Sequence, residues 1–373
     1  VVRDKLAAES VRLGLPPENL PLYRAMLAVE DEESSEMVQD LQGDPLAERV
    51  AEAVTDYFSA VMQANDRPMV LVFDDLHWAD AASLDLLEGV AAFTATRPLL
   101  LVGLLRPDRK APSWAALAQL REAAGDRYHQ LDLEPLDGQD SERLIGNLLD
   151  IQDLPIDVRR LILTRSEGNP FFIEEVLRSL IDAGHVVREN GGWRATDAIG
   201  DVAIPDTLAG VLAARIDALP ARTRQVAQTA SVLGRTFAYM ALRSLLQVAP
   251  PQERIEDVDP HLATLKDEDM VREEVERLER EYFFKHVMTQ EAAYGLLLRT
   301  RRKELHGKAG QVLESLYPDR IPELAPVLAH HFHESGDLDR TARYAVRAGA
   351  QAVRLFAGRE ASAHFDRAIE ALE

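Results

Sequence analysis

Two adjacent carboxylates, Asp74 and Asp75, follow directly on the apolar run from Met69 to Phe73. A run this short and this rich in apolar residues predicts a strand buried on both faces, as in a parallel sheet. Ligands of such sheets bind just beyond the carboxyl ends of the strands. One carboxylate there could hold the Mg²⁺ of a nucleoside triphosphate, and the other could orient or deprotonate an attacking water. The pair alone would equally suit an ordinary acidic turn.

The longer string from Asp74 to Leu87, DDLHWADAASLDLL, is far more specific than the acidic pair. It closely resembles the Walker B region of STAND-type signalling ATPases, which are AAA-like P-loop NTPases. In bacteria these proteins occur fused to nucleotide cyclase, kinase or LuxR-type output domains. The resemblance implies that Asp74 serves Mg²⁺ and that Asp75 is the catalytic acid.

A second apolar run, Leu99 to Leu105, predicts a parallel strand that ends at Arg106. Arg106 would then lie at the same edge of the sheet as Asp74. Its guanidinium could sense a terminal phosphate, or it could simply reach solvent. The resemblance favours the phosphate role, because the family has a sensor-like arginine after this strand. With a third strand expected at Tyr128 to Leu133, the alternation predicts an α/β core with right-handed crossovers.

The motif Gly168-Asn169-Pro170 lies between two predicted helices, the first of which should end at Gly168. By itself the motif is a generic interhelical turn. With the tail FFIEE that follows, it resembles the lid motif of the same ATPases. The resemblance implies that Pro170 packs against adenine and that ATP lies between the core and a helical lid.

The remaining segments carry weaker signals of their organisation. Residues 1–43 read as irregular, with an acidic loop at 30–33, and a helix should begin at Asp44. A hairpin is expected within 184–204, turning at Asn190-Gly191-Gly192. Helices followed by strands near 270–271 and 282–284 suggest a winged helix. Such modules bind DNA or act as intramolecular hinges, and the acidity of the chain favours the hinge.

The last segment is helical throughout and contains small residues at regular spacing. Ala361, Phe365 and Ala368 match the second helix of a tetratricopeptide repeat. Further repeats are expected beyond Glu373, because one or two units bury their faces poorly. A protein partner or a small inducer is expected to bind these repeats. Three histidines at 330, 331 and 333 invite a zinc interpretation, which the absence of a second ligand cluster in the sequence disfavours.

Composition limits the class of protein. The chain has 373 residues, 46% hydrophobic content, no cysteine, and 63 acidic against 42 basic residues, which gives a net charge of −21. This charge argues against broad binding to nucleic acid or anionic membranes. The sequence shows no secretory leader and no long apolar run, so a cytoplasmic location is expected.

The sequence contains no Gly-x₄-Gly-Lys-Ser/Thr phosphate loop. In the family this loop precedes the Walker B strand, so it is expected upstream of Val1. The chain is therefore interpreted as a fragment that is inactive alone and belongs to a competent ATPase.

The fold predicted is an incomplete α/β parallel-sheet P-loop NTPase core, followed by helical lid, winged-helix and α-helical repeat regions. The predicted boundaries are 1–133 for the core, 134–203 for the lid, 204–287 for the winged helix and 288–373 for the repeats. The predicted function is an ATP-binding and ATP-hydrolysing signal-transduction switch, with ATP and Mg²⁺ as ligands and an output domain, for example an adenylate cyclase, in the same polypeptide. The alternatives are a non-enzymatic scaffold with a degenerate core and a DNA-binding transcriptional regulator.

Overall fold

The fold is that of a computed structural model. It describes residues 2–27, 44–65, 67–109, 111–149, 154–189, 192–201, 204–274, 279–354 and 358–373. The chain divides into two compact units. The first unit contains Val1–Leu131, Asp319–His330 and Leu338–Glu373. The second unit contains Asp132–Pro318 and His331–Asp337.

The amino-terminal segment is helical where it is described, so the prediction of irregular structure was wrong there. Helices α1 (Val2–Leu13) and α2 (Leu20–Met26) flank the proline pair at positions 16 and 17. A proline within the first turn of α2 costs no intrahelical hydrogen bond, because the first amides of a helix have no partner. Leu22 and Tyr23 of α2 are buried in one cluster with residues of the next helix. The acidic residues 30–33 lie outside the described residues.

The core of the first unit is built from a helix, strand, helix, strand and helix in succession. These are α3 (Asp44–Ala64), β1 (Met69–Phe73), α4 (Ala81–Ala91), β2 (Leu99–Gly103) and α5 (Pro112–Ala124). Strands β1 and β2 are parallel, with Met69 opposite Leu99 and Phe73 opposite Gly103. The predicted strands and crossover helices are therefore confirmed, and they form the predicted α/β core.

The sheet is buried on one face only, which differs from the expectation of burial on both. Val70 is 57% exposed, Val72 61% and Leu100 58%. The residues that alternate with these along each strand point to the opposite face. They pack against α3 and α4 in a cluster around Met62, Val90 and Leu99. A continuous apolar run therefore does not show whether one or both faces of a strand are buried, because that depends on the elements that pack beside the strand.

The strand expected at Tyr128 to Leu133 is absent, and this described segment has no regular structure. Leu131 is 88% exposed and Leu133 is 94% exposed. A strand needs a hydrogen-bonded neighbour as well as apolar residues. The described sheet has only the two strands β1 and β2.

The second unit begins with a helical segment and a hairpin. Helices α6 (Gly138–Leu149), α7 (Ile156–Ser166) and α8 (Pro170–Asp182) precede the antiparallel strands β3 (Val186–Glu189) and β4 (Gly192–Ala195). The predicted hairpin is confirmed in its strands, while residues 190 and 191 of its turn lie outside the described residues. The helices share a core that includes Ile162, Phe172, Ile173 and Val176.

Helices and a three-stranded antiparallel sheet follow. The helices are α9 (Leu208–Ala218), α10 (Ala221–Leu233), α11 (Tyr239–Gln247) and α12 (Asp259–Asp267). The strands β5 (Thr236–Ala238), β6 (Val271–Glu274) and β7 (Glu281–Phe284) form a sheet with β7 in the centre. Both strands predicted near residues 270 and 282 are therefore confirmed. Tyr282 and Phe284 of β7 are buried among the surrounding helices. The interpretation as a winged helix stays a prediction.

The remaining elements are helices: α13 (Val287–Gly295), α14 (Arg299–Leu316), α15 (Ile321–Ser335), α16 (Leu338–Arg354) and α17 (Gly358–Leu372). Within the first unit, α16 and α17 pack closely along their length. Thr341, Ala345 and Ala348 of α16 are buried, as are Ala361 and Ala368 of α17. The helical structure predicted for the last segment is confirmed. None of the helices in the described part of the chain is long and apolar enough to cross a bilayer.

Candidate functional site

The carboxyl edge of the parallel sheet is held together by Leu104, the residue that follows β2. Its amide donates to the carbonyl of Phe73 at 2.9 Å, and its carbonyl accepts from the amide of Leu76 at 2.9 Å. A β-carbon on Gly103 would lie 2.7 Å from Cδ1 of Leu76, so any larger residue there would require the Leu76 side chain to shift. The two hydrogen bonds fix the backbone on either side of Asp74 and Asp75 and leave both acids at the edge.

Asp75 has a left-handed backbone conformation, with φ of 56°. The side chain of Asp74 stabilises this turn, because its Oδ1 accepts from the amide of Asp75 at 2.9 Å. The turn continues into a 3₁₀ segment, Leu76–Trp78, where the amide of Trp78 donates to the carbonyl of Asp75 at 2.9 Å. A non-glycine residue in this conformation is unusual and costs free energy, which is common at functional sites.

The third acid of the motif has a structural role. Asp80 is the N-cap of α4, and its Oδ1 accepts from the amide of Ser83 at 2.6 Å. It therefore fixes where the helix begins after the two edge acids.

Arg106 lies two residues beyond Leu104 and is exposed, at the edge that also presents Asp74 and Asp75. In the part of the chain that is described, its guanidinium makes no ion pair. The structure therefore brings the predicted metal ligand, catalytic acid and phosphate sensor to one edge of one sheet. Each remains accessible to a ligand from solvent.

The donor set at this edge fits Mg²⁺ and a triphosphate. Mg²⁺ is typically bound by one or two carboxylates together with phosphate oxygens and water, and not by an all-protein cage. Asp74 is exposed and offers its remaining oxygen, and Arg106 offers a planar fork to phosphate oxygens.

The predicted lid motif belongs to the second unit. Gly168 has φ of +78°, and its carbonyl accepts from the amide of Leu136 at 2.8 Å. A β-carbon at position 168 would lie 2.2 Å from the carbonyl oxygen of Leu136. Helix α7 ends just before this point, as predicted. Position 168 therefore requires glycine for two reasons: its backbone has a positive φ, and the segment at Leu136 packs too closely for a side chain.

Asn169 and Pro170 begin the following helix. The side chain of Asn169 is the N-cap of α8 and accepts from the amides of Phe171 at 3.0 Å and Phe172 at 3.4 Å. Pro170 occupies the first helical position and is exposed, whereas Phe172 is buried. The interpretation of the motif as an interhelical turn is therefore correct. An exposed proline ring leaves the predicted adenine contact sterically open.

A buried ion cluster around Arg215 was not found from the sequence. The guanidinium of Arg215 donates to Glu175 at 2.5 Å, to Asp182 at 3.2 Å and to the carbonyl of Glu268 at 3.0 Å. Only 3% of the Arg215 side chain and 9% of the Glu175 side chain are exposed. The cluster joins α8, which carries the lid motif, to α9 and to the loop before β6. The one sequence signal was the second glutamate of the FFIEE tail.

The two acids of the loop before β6, Glu268 and Asp269, have pKa values shifted in opposite directions. Burial and the neighbouring Asp182 raise the pKa of Glu268 above its ordinary value. Burial would also raise the pKa of Asp269, but the hydrogen bond from Lys285 and the charge of Arg178 together hold that pKa below its ordinary value. Asp269 therefore keeps a full negative charge between two cations, while Glu268 holds its proton more readily.

One of the three histidines considered for zinc, His331, has another explanation. Nδ1 of His331 forms a hydrogen bond of 2.9 Å with Nδ1 of His306, and Nε2 of His306 lies 2.9 Å from the hydroxyl of Tyr294. His331 is buried, and it therefore takes part in packing between α14 and α15.

Two family models match parts of the chain. Residues 2–102 match the family model of the AAA ATPase domain. Residues 138–194 match a model described as a domain of unknown function. Residues 2–102 are thus similar to an AAA ATPase domain, in agreement with the resemblance found in the sequence.

Individual relatives match more weakly. The chain is 28% identical over 245 residues to the uncharacterized protein R02095 of Rhizobium meliloti (strain 1021), a match that covers 64% of this chain and 22% of that protein. The chain thus corresponds to less than a quarter of that relative. It is also similar to the crystal structure of a STAND protein with a tetratricopeptide repeat sensor from Pyrococcus horikoshii. That similarity has a TM-score of 0.43 and 11% identity, and covers 90% of this chain and 46% of the other.

Proposed function

We propose that this chain is part of an ATP-hydrolysing signal-transduction switch in which Asp74 holds Mg²⁺, Asp75 positions the attacking water and Arg106 senses the terminal phosphate. One observation carries the proposal. The two acids and the arginine lie at the carboxyl edge of parallel strands, and the strands belong to a segment that matches the AAA ATPase domain. Ligands of parallel sheets bind at this edge.

The three side chains suit different tasks. Asp75 is held in a fixed backbone turn and its side chain is 30% exposed, so its carboxylate can orient a water or accept its proton. Asp74 is more exposed and can turn its free oxygen outward. Mg²⁺, when bound, would offset the charge of the phosphate oxygens. Arg106 can donate two parallel hydrogen bonds to those oxygens.

The test is hydrolysis by the complete protein as its gene encodes it, since residues 1–373 contain no phosphate loop. Asp75→Asn keeps the shape of the side chain and removes its charge. Loss of a positioned general base typically costs about 10²–10⁴-fold in rate, so we expect a loss of at least about 100-fold in kcat with ATP affinity nearly unchanged.

Asp85→Asn is the matched control, because Asp85 is an exposed acid on α4 in the same unit. It should leave both kcat and ATP affinity unchanged. Equal hydrolysis by the wild type and the Asp75→Asn protein would contradict the proposal and favour the non-enzymatic scaffold. A gel shift that disappears with rising salt would instead favour the DNA-binding regulator.

The wider roles follow from the family resemblance. Pro170 is proposed to contact adenine, so Pro170→Ala should weaken ATP binding more than it lowers kcat. Slow hydrolysis would act as a switch, with ATP and ADP favouring different conformations. A partner or inducer is proposed to bind the helical region from 288 to 373. The output domain, with a cyclase as the first candidate, would lie elsewhere in the same cytoplasmic polypeptide.

A further inference from the structure

The ring nitrogens of His77, two residues after the proposed catalytic acid, are buried without a hydrogen-bond partner in the described part of the chain. Its side chain is only 9% exposed. Within the part of the chain that the structure describes, neither Nδ1 nor Nε2 has a partner, and both atoms are inaccessible to solvent. A buried polar group left in this state costs about 1–3 kcal/mol, so an orphaned imidazole needs a reason.

The packing around His77 holds its ring in place. The ring lies against the indole of Trp78, with centroids 4.7 Å apart. The preceding residue, Leu76, is buried in a cluster with Leu84, Leu87 and Ala116. The Leu76 backbone is also hydrogen-bonded to Leu104. Leu76 therefore anchors the backbone before His77, and Trp78 packs against its ring.

The polar group that His77 faces is Asp75. Nδ1 of His77 lies 3.9 Å from Oδ1 of Asp75, which is longer than a hydrogen bond. A movement of roughly 1 Å would bring the two atoms within the usual hydrogen-bond distance. The strained left-handed turn at Asp75 lies between the two side chains. A small relaxation of this turn would therefore both satisfy the imidazole and fix the direction of the carboxylate.

We propose that His77 is a positioning residue for Asp75: a small relaxation of the turn lets the carboxylate of Asp75 accept a hydrogen bond from the Nδ1–H of His77, in the free chain as well as with nucleotide bound. The inference rests on the proposed function, because it assigns His77 to the water-positioning step. An ionised carboxylate only accepts hydrogen bonds, so Nδ1 of His77 must be the donor. His77 holds Asp75 in one orientation and does not itself touch the reacting atoms.

The tautomer can be measured without ATP. In the 373-residue chain labelled with ¹⁵N-histidine, the ring signals of His77 are those that disappear in His77→Asn. We expect the Nδ1–H tautomer in the wild type and conversion to the Nε2–H form in Asp75→Ala, which removes the acceptor. An Nε2–H tautomer in the wild type, or a tautomer that does not respond to Asp75→Ala, would overturn the pairing.

Hydrolysis by the complete protein separates positioning from packing. His77→Asn places an amide nitrogen near the position of Nδ1, whereas His77→Leu fills space without a donor. We expect His77→Asn to keep kcat within about threefold and His77→Leu to lose about tenfold or more with KM unchanged, because misplacing a reacting group by about 1 Å can cost about 100-fold. Equal thermal unfolding temperatures of the two variants would show that both are folded to the same extent.

Equal losses in kcat for the asparagine and leucine variants, or no loss in either, would overturn the positioning role. If the wild-type protein hydrolyses no ATP, the proposed function fails and the catalytic consequence fails with it. The tautomer experiment still decides whether His77 and Asp75 are paired. The two failures are therefore distinguishable.

Discussion

The α-carbon of Gly168 lies so close to the backbone of Leu136 that a β-carbon would be placed 2.2 Å from its carbonyl oxygen. The contact places the start of α8, and with it Asn169 and Pro170, against the segment that leads into α6. The hydrogen bond from Leu136 to Gly168 secures the same contact. The glycine of the lid motif is thus fixed by close packing as well as by its positive φ.

Gly168→Ala should therefore be strongly destabilising. Gly184→Ala is a matched control, because Gly184 also has a positive φ, of +72°, but a β-carbon added there would meet no atom within 4 Å. The free energy of unfolding of the control should fall by about 1–2 kcal/mol because of backbone strain. That of Gly168→Ala should fall by roughly a further 1–3 kcal/mol because of overpacking. Chemical denaturation measures both, and equal losses would show that the contact with Leu136 does not constrain residue 168.

Arg215→Met should destabilise the second unit by about 3–5 kcal/mol, since it leaves the carboxylate of Glu175 buried without its cation. Replacing Glu175 by Met as well should recover much of the loss, because an apolar pair leaves no buried charge. Arg143→Met is the control, since that arginine is 66% exposed in its ion pair and should change stability little. Urea denaturation of the four proteins gives the comparison. A double variant no more stable than Arg215→Met would contradict this account of the cluster.

Gly349→Ala should loosen the helical hairpin of α16 and α17. A β-carbon there would lie 2.6 Å from the ring of Phe365, so either the ring or the helix must move. Overpacking of this kind costs about 1–3 kcal/mol. Gly358→Ala, at the start of α17, adds its methyl to open space and should be neutral or slightly stabilising. Thermal unfolding measures the difference, and a stabilising Gly349→Ala would show that Phe365 moves freely.

His286 should make the stability of the second unit depend on pH. Burial and the charge of Lys285 lower the pKa of His286 below 6.5, while its ring packs on Phe171 at a centroid distance of 4.0 Å. The unfolded chain therefore binds the proton more readily than the folded chain. The contribution of His286 is fully present above pH 6.5 and is lost as pH falls through the folded-state pKa.

In His286→Gln this part of the pH dependence should disappear, because glutamine does not titrate. Urea denaturation at a series of pH values measures it. The difference in unfolding free energy between the two proteins should be constant above about pH 7.5 and should change as pH falls below 6.5, the ordinary value for histidine. Parallel curves throughout would contradict the assignment to His286.

The sequence by itself determined the local elements and indicated a candidate site. The apolar runs before Asp74 and Arg106 predicted two strands, and their order along the chain placed both residues at one sheet edge. The side chains of Asn169 and Thr207 cap the starts of α8 and α9, and a helix start of this kind depends on groups within a few residues. The family match likewise rests on residues contiguous in sequence.

The tertiary structure decided what depends on residues distant in sequence. Exposure of Val70 and Val72, and the absence of a strand at 128–133, depend on which elements pack beside them. The Arg215 cluster joins residues 40 and 53 positions apart, a separation that no local pattern encodes. The orphaned imidazole of His77 depends in the same way on packing. Burial and unsatisfied hydrogen bonding are properties of a side chain's surroundings, and only the folded chain creates those surroundings.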